Sequence, residues 1–253
     1  MATFRLLVML LATLLVVDYM PAPVASATRP TGPWTITALG DSVTAGSACD
    51  CRPFTDLYAD LTRERTGVPV TSRNLGVPGQ TSDGVLATLN GDSETAWQVA
   101  DSDIVLVTIG ANDLAGSLAD WQDGGCDLGC FRREMPGIQA DVTAIVERIR
   151  ELRAGQPTEV LVTDYWNVFR DGDQAASLGT AYRTISRQVT ALANAAICAG
   201  AASEAATCVD LVGPFTADPT KYLAADGDHP DAAGHAEIAE ALATHGWHEL
   251  TSA

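Results

Sequence analysis

The sequence predicts one α/β domain, a three-layer αβα sandwich in which helices cover both faces of a five-stranded parallel sheet. Short apolar, β-branched runs alternate with helical patterns along the chain, which is typical of a parallel sheet with helical crossovers. The 253 residues, 47% of them hydrophobic, are enough for one large core. No internal repeat and no low-complexity linker divides the chain.

The predicted strands are the apolar runs at residues 35–39, 68–73, 104–109, 159–163 and 208–212. Two apolar stripes with spacings of three and four residues predict one-sided helices: Ile138, Val142, Ile145, Ile149 and Leu152, then Tyr182, Ile185, Val189 and Leu192. Pro53 and Gly67 bound an earlier helix, and Pro230 opens a last helix that Gly246 ends. Residues 114–130, rich in Gly and Asp, are predicted to form a long irregular loop pinned by a disulfide.

Residues 1–27 have the layout of a secretory signal peptide. Arg5 precedes the apolar run 6–17, and Ala25-Ser26-Ala27 provides a small-residue cleavage site. A membrane anchor is the rival interpretation, but the run is shorter than the roughly 20 residues that span a bilayer. The sequence therefore predicts a secreted domain of residues 28–253 with no stable membrane insertion.

Export also favours disulfides for the six cysteines. Sequence-local pairing predicts Cys126 with Cys130 and Cys198 with Cys208, and leaves Cys49 and Cys51 paired with each other or elsewhere. A Cys49–Cys126 bridge is the alternative. Zinc is a competing use of cysteine, but neither Cys49/Cys51 nor Cys126/Cys130 has a histidine nearby in sequence.

The formal net charge of −17 argues against nucleic acid as a partner. No calcium-loop pattern is present. We expect a monomer that needs no cofactor and no metal.

Polar residues suited to one reaction follow four elements of the chain. The blocks are Gly40-Asp41-Ser42-Val43, Asn74-Leu75-Gly76-Val77-Pro78-Gly79, Gly110-Ala111-Asn112-Asp113 and Asp226-Gly227-Asp228-His229-Pro230. Alone, each has an ordinary explanation as a helix cap, a tight turn, an Asx turn or a helix start. Together, at the carboxyl edge of one sheet, they supply a nucleophile, oxyanion donors, a base and an orienting acid.

These blocks resemble those of the SGNH, or GDSL-type, hydrolase family, and the resemblance covers nearly all of residues 28–253. It implies that Ser42 attacks an ester carbonyl while His229 accepts its proton and Asp226 orients His229. The backbone amides of Ser42 and Gly79 and the side chain of Asn112 would hold the oxyanion. Two residues depart from the usual pattern: Val43 replaces a Leu, and Pro78 replaces a small polar residue.

The residues also support the Asp226–His229 pair directly, because side chains three positions apart can meet on one turn. Thr44 breaks the Gly-x-Ser-x-Gly motif of the α/β-hydrolases. We therefore predict the flavodoxin-like strand order 2-1-3-4-5, with the strands before Ser42 and Asn112 as neighbours.

The predicted reaction is hydrolysis of a carboxylic ester through an acyl-enzyme on Ser42. A lipid or a simple aliphatic ester is the favoured substrate, and a carbohydrate O-deacetylase is the alternative within the family. Tyr165, Trp166 and Phe169 could line a substrate pocket or simply pack. From other classes, a metal-dependent phosphoesterase would use Asp41, Asp113, Asp228 and His229 as ligands, and a catalytically silent carbohydrate-binding protein remains.

Overall fold

The computed structural model describes residues 32–252 apart from residues 168 and 217, so the predicted signal peptide lies outside the described residues. Five parallel strands form one sheet with the order β2-β1-β3-β4-β5. They are β1 Trp34–Gly40, β2 Val70–Gly76, β3 Ile104–Thr108, β4 Glu159–Thr163 and β5 Thr207–Val209. The predicted fold class and strand order are confirmed.

The strands differ in burial according to their place in the sheet. All five residues of β3 and of β4 are buried, as expected for central parallel strands covered on both faces. β2 is an edge strand without a fully buried residue. Its polar segment Thr71-Ser72-Arg73-Asn74 gives little apolar signal, which explains why the predicted range 68–73 misses its last three residues.

Ten helices lie in the described part of the chain: α1 Ser42–Ala45, α2 Phe54–Thr66, α3 Ser82–Asn90, α4 Glu94–Ala100, α5 Ala115–Gln122, α6 Leu128–Leu152, α7 Gly172–Ser203, α8 Val212–Thr216, α9 Ala232–Thr244 and α10 His248–Thr251. Helices α2 and α9 pack together on one face of the sheet, and α3, α6 and α7 pack together on the other. The stripe from Ile138 to Ile149 is buried, as predicted. Among the described residues, no helix is long and apolar enough to cross a membrane.

Three predicted boundaries are wrong. Residues 114–130 are largely helical, because α5 covers Ala115–Gln122 and α6 begins at Leu128. The fifth strand ends at Val209, and Val212 starts α8 instead. Helix α9 starts at Ala232, capped by Asp231, and α10 follows Gly246, so the predicted last helix is not the last.

The six cysteines form three local disulfides, and the described residues include no free cysteine. Cys126 is joined to Cys130, Cys198 to Cys208, and Cys49 to Cys51. The pairing is thus the sequence-local one, and the alternative Cys49–Cys126 bridge is absent. Cys198–Cys208 links α7 to β5, and Cys126–Cys130 closes the turn between α5 and α6.

Candidate active site

Ser42 is presented by a tight turn between β1 and α1. Gly40 ends β1 with φ +141°, and a Cβ there would lie 2.0 Å from the carbonyl oxygen of Thr108 in β3. Only glycine therefore allows the two strands to meet at this point. Asp41 caps α1 by accepting the backbone N–H of Val43 at 2.9 Å, so the hydroxyl of Ser42 is not needed as the cap.

A hydrogen-bonded chain joins Ser42 to an imidazole and a carboxylate. Nε2 of His229 lies 2.9 Å from Oγ of Ser42, and Nδ1 of His229 lies 2.8 Å from Oδ2 of Asp226. The carboxylate fixes the tautomer with the proton on Nδ1, which leaves Nε2 to accept from the hydroxyl. The two groups come from opposite ends of the chain, since Ser42 follows β1 and His229 precedes α9.

Asp226 is held by the turn in which it lies. Its Oδ1 accepts the backbone N–H groups of Asp228 at 3.0 Å and of His229 at 3.1 Å. Burial acts to raise the pKa of Asp226, but these backbone hydrogen bonds and the His229 ring outweigh it, and the net pKa is lowered. Asp226 is therefore a stable carboxylate partner for the imidazole.

Asn112 opens a 3₁₀ turn directly after β3 and lines the same cavity as Ser42. Its Nδ2 donates one hydrogen to the carbonyl oxygen of Gln80 at 2.9 Å, which leaves the second amide hydrogen unassigned. Gly79, with φ +81°, forms the turn just before Gln80. Gly79 does not line the cavity itself, but the Asn112–Gln80 bond ties its turn to the end of β3.

Asp113 joins the end of β3 to the start of α3. Its carboxylate accepts the backbone N–H of Ser82, the first residue of α3, at 3.1 Å and the hydroxyl of Ser82 at 2.5 Å. Burial raises the pKa of Asp113. From the sequence, Asp113 was named only as a ligand of the phosphoesterase alternative, and nothing in the sequence indicates its contact with Ser82, 31 positions away.

A second buried contact supports the Ser42 turn. The hydroxyl of Tyr165, which follows β4, donates to Oδ2 of Asp41 at 2.5 Å. Burial raises the pKa of Asp41 to about 6, although the Tyr165 and Val43 hydrogen bonds oppose the rise. The two residues are 124 positions apart, and nothing in the sequence indicates that they meet.

The cavity over Ser42 has a volume of about 140 Å³. Ser42, Asn112 and His229 line it together with Tyr165, Trp166 and Phe169. The three aromatic side chains are only 2–7% exposed, so they form part of the core and the cavity wall at once. Both interpretations of these residues therefore hold.

Three of the four residues of the phosphoesterase alternative have other partners. Asp41 binds Tyr165 and Asp113 binds Ser82, while His229 faces Ser42. Within the described residues, the group of potential ligands that does converge is Cys49, Cys51 and His235. The two cysteines form a disulfide, and Nδ1 of His235 already accepts the N–H of Phe54. The fold nevertheless brings to Cys49 and Cys51 a histidine that is far away in sequence.

A serine hydroxyl, an imidazole and a carboxylate at the carboxyl edge of a parallel α/β sheet define the class of serine hydrolases. Residues 38–237 match the GDSL-like lipase/acylhydrolase family. The chain belongs to this family. No curated protein matches it significantly.

Solved structures share the fold at low sequence identity. The lipase Lip_vut3 from a goat rumen metagenome superposes with a TM-score of 0.73 and 22% identity, covering 85% of this chain and 98% of that chain. Phospholipase A1 from Streptomyces albidoflavus gives a TM-score of 0.63 at 21% identity, with 84% and 99% covered. A mutant of Axe2, an acetyl-xylooligosaccharide esterase from Geobacillus, gives 0.60 at 17%, with 89% and 100% covered.

Proposed function

We propose that this chain is a secreted serine esterase that removes short acyl groups through a covalent intermediate on Ser42. His229 acts as the general base and acid, and Asp226 orients it. The backbone amides of Ser42 and Gly79 and the side chain of Asn112 stabilise the oxyanion. The observation that carries the proposal is the continuous hydrogen-bonded chain from Ser42 through His229 to Asp226.

The reaction has two halves. In the first, Oγ of Ser42 bonds to the ester carbonyl carbon while Nε2 of His229 takes the hydroxyl proton. The ester C–O bond then breaks, and the alcohol oxygen leaves with that proton. In the second half, His229 takes a proton from water, and the resulting hydroxide attacks the acyl carbon. The carboxylic acid leaves, and Ser42 regains its proton from His229.

The size of the cavity supports a short acyl group. Its volume of about 140 Å³ is below the roughly 300–1,000 Å³ of pockets that hold drug-sized ligands. Trp166 and Phe169, both buried in the core, form part of its wall. We therefore narrow the expectation of a lipid or simple aliphatic ester to esters with acyl groups of a few carbons.

Secretion is supported by the signal-like residues 1–27 and by the three disulfides. The corresponding test is N-terminal sequencing of the protein recovered from the culture medium. It should begin near Thr28, and an intact N-terminus on an extracellular protein would contradict cleavage at residue 27.

The main test is to treat the enzyme with a p-nitrophenyl phosphonate and locate the adduct by peptide mass spectrometry. The adduct should lie on Ser42 and abolish hydrolysis of p-nitrophenyl acetate, and Ser42→Ala should neither react nor hydrolyse. The matched control Ser47→Ala, one turn further along, should still be labelled at Ser42. EDTA should leave the rate unchanged. Loss of activity on chelation, restored by a divalent cation, would refute the proposal in favour of the phosphoesterase.

A further inference from the structure

A second, larger cavity lies next to the one over Ser42. This outer groove has a volume of about 790 Å³ and shares Leu118, Phe169 and Asp228 with the smaller cavity. Its other walls come from α5, through Trp121, and from α7, through Tyr182, which follows the kink at Gly179. Because the two cavities share three lining residues, the outer groove is within reach of an ester whose carbonyl carbon lies at Ser42.

The reaction geometry decides which part of the ester lies there. The alcohol oxygen leaves with the proton carried by Nε2 of His229, so the alcohol part must be on the His229 side of the carbonyl carbon. Asp228 is the chain neighbour of His229 and lines both cavities. The outer groove therefore receives the alcohol part, and the smaller cavity keeps the acyl group.

The outer groove has an aromatic wall. The rings of Trp121 and Tyr182 lie 5.6 Å apart between centroids with an interplanar angle of 40°, and both side chains are only partly buried. The hydroxyl of Tyr182 accepts the backbone N–H of Arg170 at 3.4 Å, so the ring is held beside the polar side of the groove. Flat aromatic faces of this kind can cover the C–H surface of a ring-shaped ligand.

Hydrogen-bond donors and an acceptor line the same groove as the aromatic wall. Arg170 and Gln122 offer hydrogen-bond donors. Within the described residues, nothing donates a hydrogen bond to the carboxylate of Asp228. Burial raises the pKa of Asp228 and nearby Asp226 adds to the rise, while His229 and Arg170 oppose it. A half-buried carboxylate that receives no hydrogen bond from the protein is suited to accept one from a hydroxyl group of a ligand.

These features disfavour two other occupants. A long hydrocarbon chain would cover the charged groups of Arg170 and Asp228 without offering them hydrogen bonds, which is costly. A phospholipid surface with negative charge would be repelled by a protein of net charge −17. A neutral ring with several hydroxyl groups satisfies both the aromatic wall and the polar groups.

From this arrangement we infer that the outer groove is a subsite for a neutral saccharide, so that the physiological substrate is a sugar carrying a short O-acyl group. The inference rests on the proposed function, because it assigns the alcohol part of the ester that Ser42 cleaves. The leaving group is the sugar oxygen, which departs as a hydroxyl with the proton from His229. The inferred saccharide subsite reverses the preference for a lipid or simple aliphatic ester that was drawn from the sequence.

The test compares two esters with the same acyl group, mono-O-acetylated xylobiose and butyl acetate, on the full enzyme. We expect kcat/KM for the sugar ester to exceed that for butyl acetate by about tenfold or more. Trp121→Ala should lower the ratio of the two kcat/KM values about tenfold, mainly through KM for the sugar ester, because one stacking face is lost. Trp97→Ala is the matched control, since Trp97 is 66% exposed on α4 and lines neither cavity; its ratio should equal that of the wild type.

The outcomes separate the two proposals. If the wild-type enzyme hydrolyses butyl acetate through Ser42 but shows no preference for the sugar ester, the saccharide subsite is refuted and the esterase stands. The same holds if Trp121→Ala leaves the ratio unchanged, or if p-nitrophenyl palmitate or phosphatidylglycerol vesicles are the better substrates. If Ser42→Ala retains wild-type activity on every ester, the proposed function itself fails.

Discussion

Replacing Asn112 with alanine tests the oxyanion site with the fewest side effects. The amide of Asn112 has two hydrogens, and the bond to Gln80 at 2.9 Å uses one of them. If the other serves the oxyanion, its removal should lower kcat about 10²–10³-fold, or roughly 2.7–4 kcal/mol of transition-state stabilisation. KM should change by less than about threefold, because the donor acts mainly in the transition state.

The structural cost of the same substitution is much smaller. Loss of one hydrogen bond to a partly buried carbonyl costs about 1 kcal/mol, which for a domain of this size lowers Tm by roughly 2–4 °C. The assay is steady-state hydrolysis of p-nitrophenyl acetate alongside thermal unfolding followed by circular dichroism. Asn90→Ala, at the exposed end of α3, is the matched control. A kcat within threefold of wild type, combined with a large fall in Tm, would show that Asn112 is only a turn residue.

Three further predictions concern the carboxylates. Asp226→Asn should lower kcat/KM by as much as about 10⁴-fold and Asp228→Asn far less on butyl acetate; a dead Asp228→Asn beside an active Asp226→Asn would reverse their roles. Burial raises the pKa of Asp41 to about 6 and of Asp164 to about 7. Each protonated carboxyl therefore stabilises the folded state below about pH 4, and this contribution is lost as pH rises toward 7. The free energy of unfolding, measured by urea melts at several pH values, should fall over this range. Asp164→Asn should make that fall smaller. Tyr165→Phe should cost about 1.5–3 kcal/mol at pH 8, where Asp41 is charged, and less at pH 4.5; an equal cost at both pH values would contradict the burial of a charged Asp41.

Much of the fold was predictable because parallel strands in the middle of a sheet are uniformly apolar. The run Ile104-Val105-Leu106-Val107 is such a strand, and its limits are nearly those predicted. The edge strand β2 was harder to predict from the sequence. It is held to β1 by backbone hydrogen bonds and needs few apolar side chains. Helix α5 was not predicted, because Gly116, Ser117 and Asp120 leave too few apolar residues in it to show a helical pattern.

The candidate site was predictable in its chain-local parts and not in its long-range contacts. Asp226 and His229 share one turn, so their spacing was sufficient to pair them. The contact of Tyr165 with Asp41 and the wall formed by Trp121 and Tyr182 depend on packing between distant segments. No periodicity in the sequence encodes such contacts.

The separation of Ser42 and His229 along the chain has a consequence for the protein before it has folded. The two residues are 187 positions apart, and His229 reaches the serine only when the segment after β5 has packed beside the end of β1. A chain that is still unfolded has an ordinary serine hydroxyl and no activated nucleophile. Latency is thus built into the topology, and the onset of ester hydrolysis should report that folding is complete.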